Sequence, residues 1–157
     1  MNNEQIIESF YKSFADGDYQ GMIKHYHVDV VFKDPAFGTL SAKKAMQMWE
    51  MLLSNKEAAP QISFSNIKAD NTQGSVDWKA EYFFGPKKRK VINQIHANFS
   101  FEDGKIIKHT DDFSVWKWSS QALGLTGSIL GWTPMIKSKI QKMANEKLVK
   151  FIDAKER

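Results

Sequence analysis

A chain of 157 residues is one ordinary domain, long enough to bury roughly two thirds of its unfolded surface. The 13% aromatic share, with five Trp and eleven Phe, suits a thick core or an apolar cavity, and the absence of cysteine excludes disulfides, thiolate nucleophiles and thiolate metal sites. The formal net charge of +4 favours an anionic partner only where it is clustered, so no nucleic-acid partner is expected.

The opening "MNNEQIIESF" lacks a basic segment followed by an apolar core, and no apolar run approaches the roughly 18 residues of a membrane span. A cytoplasmic location is the expectation. Ile6, Ile7, Phe10 and Phe14 recur at helical spacing, which predicts a helix over residues 4–15 capped by Asn3. Gly17 ends it, and Asp18 can cap a second short helix reaching Tyr26. "VDVVFKDP" reads as a strand stopped by Pro35, and Ser41 caps a third helix with Ala45, Met48, Trp49 and Leu52 on one stripe.

From Gln61 the period changes from 3.6 to 2. "SVDWKAEYFF" alternates Val76, Trp78, Ala80, Tyr82 and Phe84 against Asp77, Lys79 and Glu81, the pattern of a half-buried antiparallel strand. "VINQIHANFSF" and "KIIKHTDDFSVW" follow, joined by "EDG", giving a meander of about four strands after the helices: an α+β layout. "PKKRK", residues 86–90, falls at a hairpin tip where solvated Lys and Arg need no further explanation.

"HTDDFSVW" sets two carboxylates side by side within that last strand, and neighbouring strand residues point to opposite faces. Ile107, His109, Asp111, Phe113 and Val115 form the more apolar set. A two-residue loop at Asp103-Gly104 would set Phe99 against Lys108, whereas a three-residue loop with left-handed Gly104 sets Phe99 against Ile107 and Ala97 against His109. Only the second keeps the apolar faces together, so Asp111 is expected inside and Asp112 outside. The inner set of the preceding strand is Val91, Asn93, Ile95, Ala97, Phe99 and Phe101. By the same alternation Asp34 of "VVFKDPAFG" lies on the apolar side as its strand ends. Burial raises an aspartate toward the range of a workable base, and an unpaired carboxylate in a dry core costs several kcal/mol, so these groups should meet one another or a wet cavity. "HYHVD" has the look of metal ligands but straddles a helix end and a strand start, and no metal site is expected.

These elements resemble the nuclear transport factor 2-like superfamily, in its SnoaL-like group. The likeness covers about residues 4–118 through "FKDPAFG", "SAKKAMQMWEML" and "FEDGKIIKHTDDFSVWKW". It implies a cone, a curved antiparallel sheet wrapped over the N-terminal helices around a deep pocket, in a homodimer formed through the outer sheet face. It also implies a proton-shuttling aspartate at Asp34, as in ketosteroid isomerase. Asp111 matches the water-activating or acid/base aspartate of limonene epoxide hydrolase and of SnoaL-type cyclases. The isomerase's oxyanion Tyr and Asp fall instead at Phe10, beside Tyr11, and at Ala97. The epoxide hydrolase's Arg and second Asp have no counterpart in "SVDWKAEYFF".

On this resemblance Asp34, His109 and Asp111 are the catalytic candidates, with His109 orienting Asp111 or passing its proton. Tyr11, Trp49, Trp78, Tyr82, Asn93, Phe99 and Phe113 are the candidates for substrate binding. The implied chemistry is cofactor-independent proton transfer on a small hydrophobic molecule bearing a carbonyl or an epoxide. A carrier or sensor of an apolar ligand is the alternative, and a pure dimerisation module a third. Residues 1–118 would form the cone, and 119–157 a helical extension of the same domain. In that extension Thr133 and Pro134 open a helix with an apolar stripe of Ile136, Ile140, Met143, Ala144, Leu148, Phe151 and Ile152, its lysines mostly off the stripe. The stripe is expected to dock on this domain or its dimer mate rather than on a membrane surface, and "GLTGSILGW" before it could lid the pocket mouth.

Overall fold

In the computed structural model, which describes residues 1–157, helix α1 (Asn3–Ala15) begins one residue earlier than its pattern suggests. Asn2 takes the cap: its side chain accepts from Gln5 N–H while the Gln5 side chain accepts from Asn2 N–H, satisfying two donors that the first turn leaves orphaned. Asp18 caps α2 (Tyr19–Ile23) through Gly21 N–H, and that helix stops short of Tyr26, which opens β1 (Tyr26–Asp34). After β2 (Gly38–Ser41) comes α3 (Ala42–Leu52), which buries Ala45, Met48 and Trp49.

The strands β3 (Gln61–Ala69), β4 (Gln73–Phe84), β5 (Arg89–Glu102) and β6 (Lys105–Asp112) form the expected meander. The sheet is larger than that, with six strands in the order β2-β1-β6-β5-β4-β3, curled and unclosed. It is mixed rather than antiparallel, because β1 lies parallel to β6. A parallel pair needs a long crossover, and everything between Asp34 and Lys105 supplies it. The inner face of the sheet and α1–α3 enclose the main core, in which Ile7, Phe10, Tyr11, Met22, Val76 and Ala97 are fully buried. A Phe or Ile buried in this way contributes about 1.5–3 kcal/mol.

The β5–β6 turn differs from expectation. Glu102 pairs with Lys105 around the two-residue turn Asp103-Gly104, both with positive φ (54° and 73°), the type I′ geometry that matches the twist of a hairpin. Unaided, that turn would send His109 outward. A bulge at Ile107 restores the faces: Phe101 pairs with Ile106 but Ser100 with Lys108, so Phe99 meets His109 and Ala97 meets Asp111. Ile106 rather than Ile107 is fully buried as a result, and Asp111 is inside while Asp112 is exposed.

Strand β6 also ends sooner than the alternation suggests. Ser114 accepts from Lys117 N–H and caps α4 (Val115–Leu123), so Phe113 and Val115 are not strand residues. Then come α5 (Leu125–Leu130) and α6 (Pro134–Lys155). Helix α6 places Leu148 in the main core and Ile136 and Ile140 in a second apolar cluster with Val91, Trp118 and Ala122. Met143, part of the expected stripe, is exposed instead. No helix is long and apolar enough to cross a membrane.

Candidate functional site

Five side chains form one buried chain of hydrogen bonds across the interior. Trp49 Nε1 donates to Tyr26 Oη (2.8 Å), Tyr26 Oη meets His109 Nδ1 (2.7 Å), and His109 Nε2 meets Asp111 Oδ1 (2.9 Å). Trp78 Nε1 donates to the same Oδ1 at 3.2 Å. The indoles only donate and an ionised carboxylate only accepts, so Nε2–H donates to Asp111, and the Tyr26 hydroxyl, which accepts from Trp49, has its own proton to give to Nδ1. A neutral imidazole with its proton on Nε2 therefore satisfies every link. His109 is 0% exposed and Asp111 4%. Phe99, Phe32, Phe10 and Trp49 hold the imidazole ring, Phe99 at 4.6 Å between centroids and Trp49 stacked at 19°. Both ring nitrogens are engaged, so His109 orients Asp111 and has no free atom for a ligand. The two donors on Asp111 converge on Oδ1 and leave Oδ2 as its open oxygen.

Asp34 reaches the same interior from β1. Phe32 pairs with His109 across the parallel strands, and two residues further along each strand stand Asp34 and Asp111. Burial, partly opposed by the Phe37 N–H that Asp34 Oδ1 accepts at 2.6 Å, raises the Asp34 carboxyl from 3.8 to about 7, and the negative charge of Asp111 pushes the same way. Burial likewise raises Tyr11 well above its ordinary value, with the charge of Asp111 adding to it. The Tyr11 hydroxyl is buried and has no hydrogen-bond partner, an arrangement native cores rarely leave unexplained.

The remaining candidates fall into two groups. Trp49, Trp78 and Phe99 are tied to the hydrogen-bonded chain itself, by their N–H groups or by packing on the imidazole. Tyr82, Asn93 and Phe113 lie toward the end of the sheet where Asp34 sits. The charge of Asp34 is felt at the Tyr82 hydroxyl, which is raised chiefly by burial. Asn93 is buried opposite Ala80, and Phe113 touches both apolar clusters. Phe10 and Ala97, where the isomerase comparison would put oxyanion groups, are plain core. His25 and His27 diverge: His25 Nε2 lies 2.8 Å from Ser9 Oγ, and His27 faces the carboxylates of Asp103 and Glu102 at 3.8 and 3.9 Å. No three His, Asp or Glu side chains converge as metal ligands would. Tyr26, the link between Trp49 and His109, is a residue that pattern reading overlooks. The helical pattern after Asp18 extends to Tyr26, whereas the structure starts β1 there and turns Tyr26 to the same side as Phe32.

A SnoaL-like domain family model matches residues 7–109, which span the whole hydrogen-bonded chain except Asp111. The chain belongs to the SnoaL-like domain family. No curated protein matches it. Among solved structures, an epoxide hydrolase of the limonene epoxide hydrolase-like type from M. tuberculosis is 17% identical, with TM-score 0.64 over 80% of this chain and 93% of that one. A candidate polyketide cyclase from Xanthomonas campestris pv. campestris is 15% identical, with TM-score 0.62 over 74% and 93%. A protein from Catenulispora acidiphila with a ketosteroid isomerase-like fold, in complex with trimethylamine, is 12% identical, with TM-score 0.65 over 85% and 100%. At these identities the likeness is one of fold, the α+β nuclear transport factor 2-like fold.

Beyond the matched region, this SnoaL-like chain uses its C-terminal helices to cover the end of the sheet nearest Asp34. Trp118 Nε1 donates to Tyr82 Oη at 2.7 Å, and Trp118, Ile136 and Ile140 pack with Ala36, Tyr82 and Phe113. Two amides from α6 fasten the turn after Asp34: Gln141 Nε2 donates to Pro35 O (3.2 Å) and Asn145 Nδ2 to Phe37 O (2.9 Å). An open concavity of about 620 Å³ lies on the outer side of α6 beside Gln141, Glu146 and Lys150, and neither aspartate borders it.

Proposed function

We propose that this SnoaL-like protein binds a small hydrophobic molecule carrying a carbonyl, between Asp34, Tyr82, Asn93, Asp111 and Phe113, and moves a proton beside that carbonyl without a cofactor. One observation carries the reading: two inward carboxyls end adjacent parallel strands, one aligned by N–H donors and the other raised to about 7. An Asp34 held protonated near neutrality is suited to the role of acid, and the hydrogen-bonded Asp111 to that of base. Asp111 Oδ2 takes a proton from the carbon next to the carbonyl, while protonated Asp34 gives its proton to the carbonyl oxygen, leaving a neutral enol. Return of the Asp111 proton to another carbon, as the enol hydroxyl hands its proton back to Asp34, isomerises an unsaturated substrate. Attack of the enol carbon on a second carbonyl, whose oxygen takes the Asp111 proton while the enol hydroxyl returns its own to Asp34, closes a ring. The unpaired Tyr11 hydroxyl is a donor for charge developing on oxygen. An acid near neutrality loses least at either end of such a transfer. The same pair would serve epoxide opening, with water losing its proton to Asp111 and the epoxide oxygen gaining that of Asp34.

A carrier of an apolar ligand is the second reading, favoured by the closure of this end of the sheet by Trp118, Ile136 and Ile140. Mass spectrometry of ligand copurified with the full chain identifies the molecule, and turnover is then compared in Asp34→Asn and Asp111→Asn. Each change is expected to lower kcat roughly a hundredfold to ten-thousandfold with the ligand still bound. Full turnover in both variants ends the catalytic reading, and binding with no turnover by the unaltered protein establishes the carrier.

A further inference from the structure

Helices α4 and α5 pack as a hairpin of unusually close approach. A Cβ on Gly127 would lie 1.8 Å from the Ser119 carbonyl oxygen, and one on Gly131 2.9 Å from Ser119 Cβ, so only glycine fits where the two backbones meet. The inner side of α4 contributes Trp118 and Ala122 to the second apolar cluster. The outer side of the hairpin has no such partner. Leu125 is 76% exposed and Trp132 74%, with Ile129, Met135 and Trp116 also largely open to solvent. These side chains are neighbours: Leu125 and Ile129 are one turn apart on α5, and Trp116 Nε1 donates to Ser128 O at 3.0 Å, which lays its ring against α5. These five large exposed apolar side chains from Trp116 to Met135, an apolar knob, are more than the scatter of single residues found on ordinary protein exteriors.

Charge decides what the knob fits. Between Asp112 and Glu146 the chain carries Lys117, Lys137, Lys139 and Lys142, all exposed, and no acidic residue. A second copy facing this patch across a twofold axis would set lysines against lysines. An anionic surface would neutralise them while taking up the apolar side chains, and tryptophans beside lysines suit the headgroup layer of a bilayer. The apolar stripe of α6 is not the anchor, because Ile136, Ile140 and Leu148 are buried within the protein. No helix is long and apolar enough to span a bilayer, so the contact lies in the plane of its surface. We propose that the α4–α5 hairpin and the start of α6 dock this protein on anionic lipid membranes.

The test mixes the full chain with vesicles of phosphatidylcholine alone or in equal parts with phosphatidylglycerol, followed by cosedimentation. Sedimentation with the mixed vesicles is expected, weakening as salt is added and much less with phosphatidylcholine alone. The triple variant Leu125→Ser/Ile129→Ser/Trp132→Ser changes only exposed side chains and should keep its circular dichroism spectrum while partitioning roughly tenfold less or weaker still. Lys137→Glu/Lys139→Glu should lose binding to the mixed vesicles alone. The proposal fails if the unaltered chain stays in the supernatant at low salt, or if the triple variant sediments as well as it does. It fails equally if the triple variant dissociates a dimer in ultracentrifugation and leaves vesicle binding untouched, since the knob then covers a second copy.

Discussion

Replacing Asp34 by Asn removes an ionisable group while keeping the oxygen that accepts from Phe37 N–H. In the folded chain, burial and the charge of Asp111 hold this carboxyl at about 7 against an ordinary 3.8. The sign follows from which state releases its proton first. Below 3.8 both states are protonated, and the contribution to stability is complete. As the pH rises the unfolded chain ionises first, so stability falls until the folded group ionises at about 7. At about 1.4 kcal/mol per pH unit, the interval amounts to about 4 kcal/mol, a large fraction of the stability of an ordinary domain. Asp34→Asn should therefore match the unaltered protein near about pH 4 and exceed it by about 4 kcal/mol at about pH 8. Urea unfolding followed by tryptophan fluorescence across that range measures both curves. Parallel pH profiles, or a variant less stable at the alkaline end, would refute the argument that a protonatable carboxyl is buried here at the expense of stability.

Two tyrosines that both pack on the Phe10 ring should respond oppositely to losing a hydroxyl. Tyr11→Phe deletes an unpartnered group and should be neutral or stabilising by about 1 kcal/mol, whereas Tyr26→Phe strands Trp49 N–H and His109 Nδ1 and should cost about 2–4 kcal/mol. Thermal unfolding of the pair decides it, and equal losses contradict the hydrogen-bonded chain. Gly127→Ala forces a methyl against the Ser119 carbonyl and should cost about 1–3 kcal/mol or more, with faster hydrogen exchange in α4 and α5; unchanged exchange there removes the close approach from the account.

What the sequence made legible follows from the range of the signal. Alternation in β4 and β5 is local, and it places Trp78, Tyr82, Asn93 and Phe99 on the inner face, as the structure does. The orientation of Asp111 was also legible, although through a three-residue loop that the chain does not use. The inward turn of Asp111 requires only that the apolar faces meet, and the chain meets that demand with a bulge instead. The parallel pairing of β1 with β6 left no local trace, because its partners lie far apart in sequence. Nor did the early end of β6, where the alternation of Phe113 and Val115 continues past a serine cap that stops the strand. Tyr26, a link in the polar chain, was hidden because the short helix after Asp18 ends at Ile23 rather than at Tyr26, which no local signal marks.

The site depends on those irregularities rather than existing despite them. With the Asp103-Gly104 turn and a perfect ladder, Lys108 would face Phe99, and His109 and Asp111 would point to solvent. One inserted residue at Ile107 reverses every side chain after it, which brings an imidazole and a carboxylate into an aromatic interior. On β1, Tyr26 pairs with Ile106 before its register shift and Phe32 with His109 after it, so Tyr26 and Asp34 reach the polar chain from opposite ends of one strand. Regular strands would have given a drier and more stable core. The register defects lie in the two strands that carry Tyr26, Asp34, His109 and Asp111 inward, and the hydrogen bonds from Trp49 and Trp78 offset part of the cost of keeping these groups there.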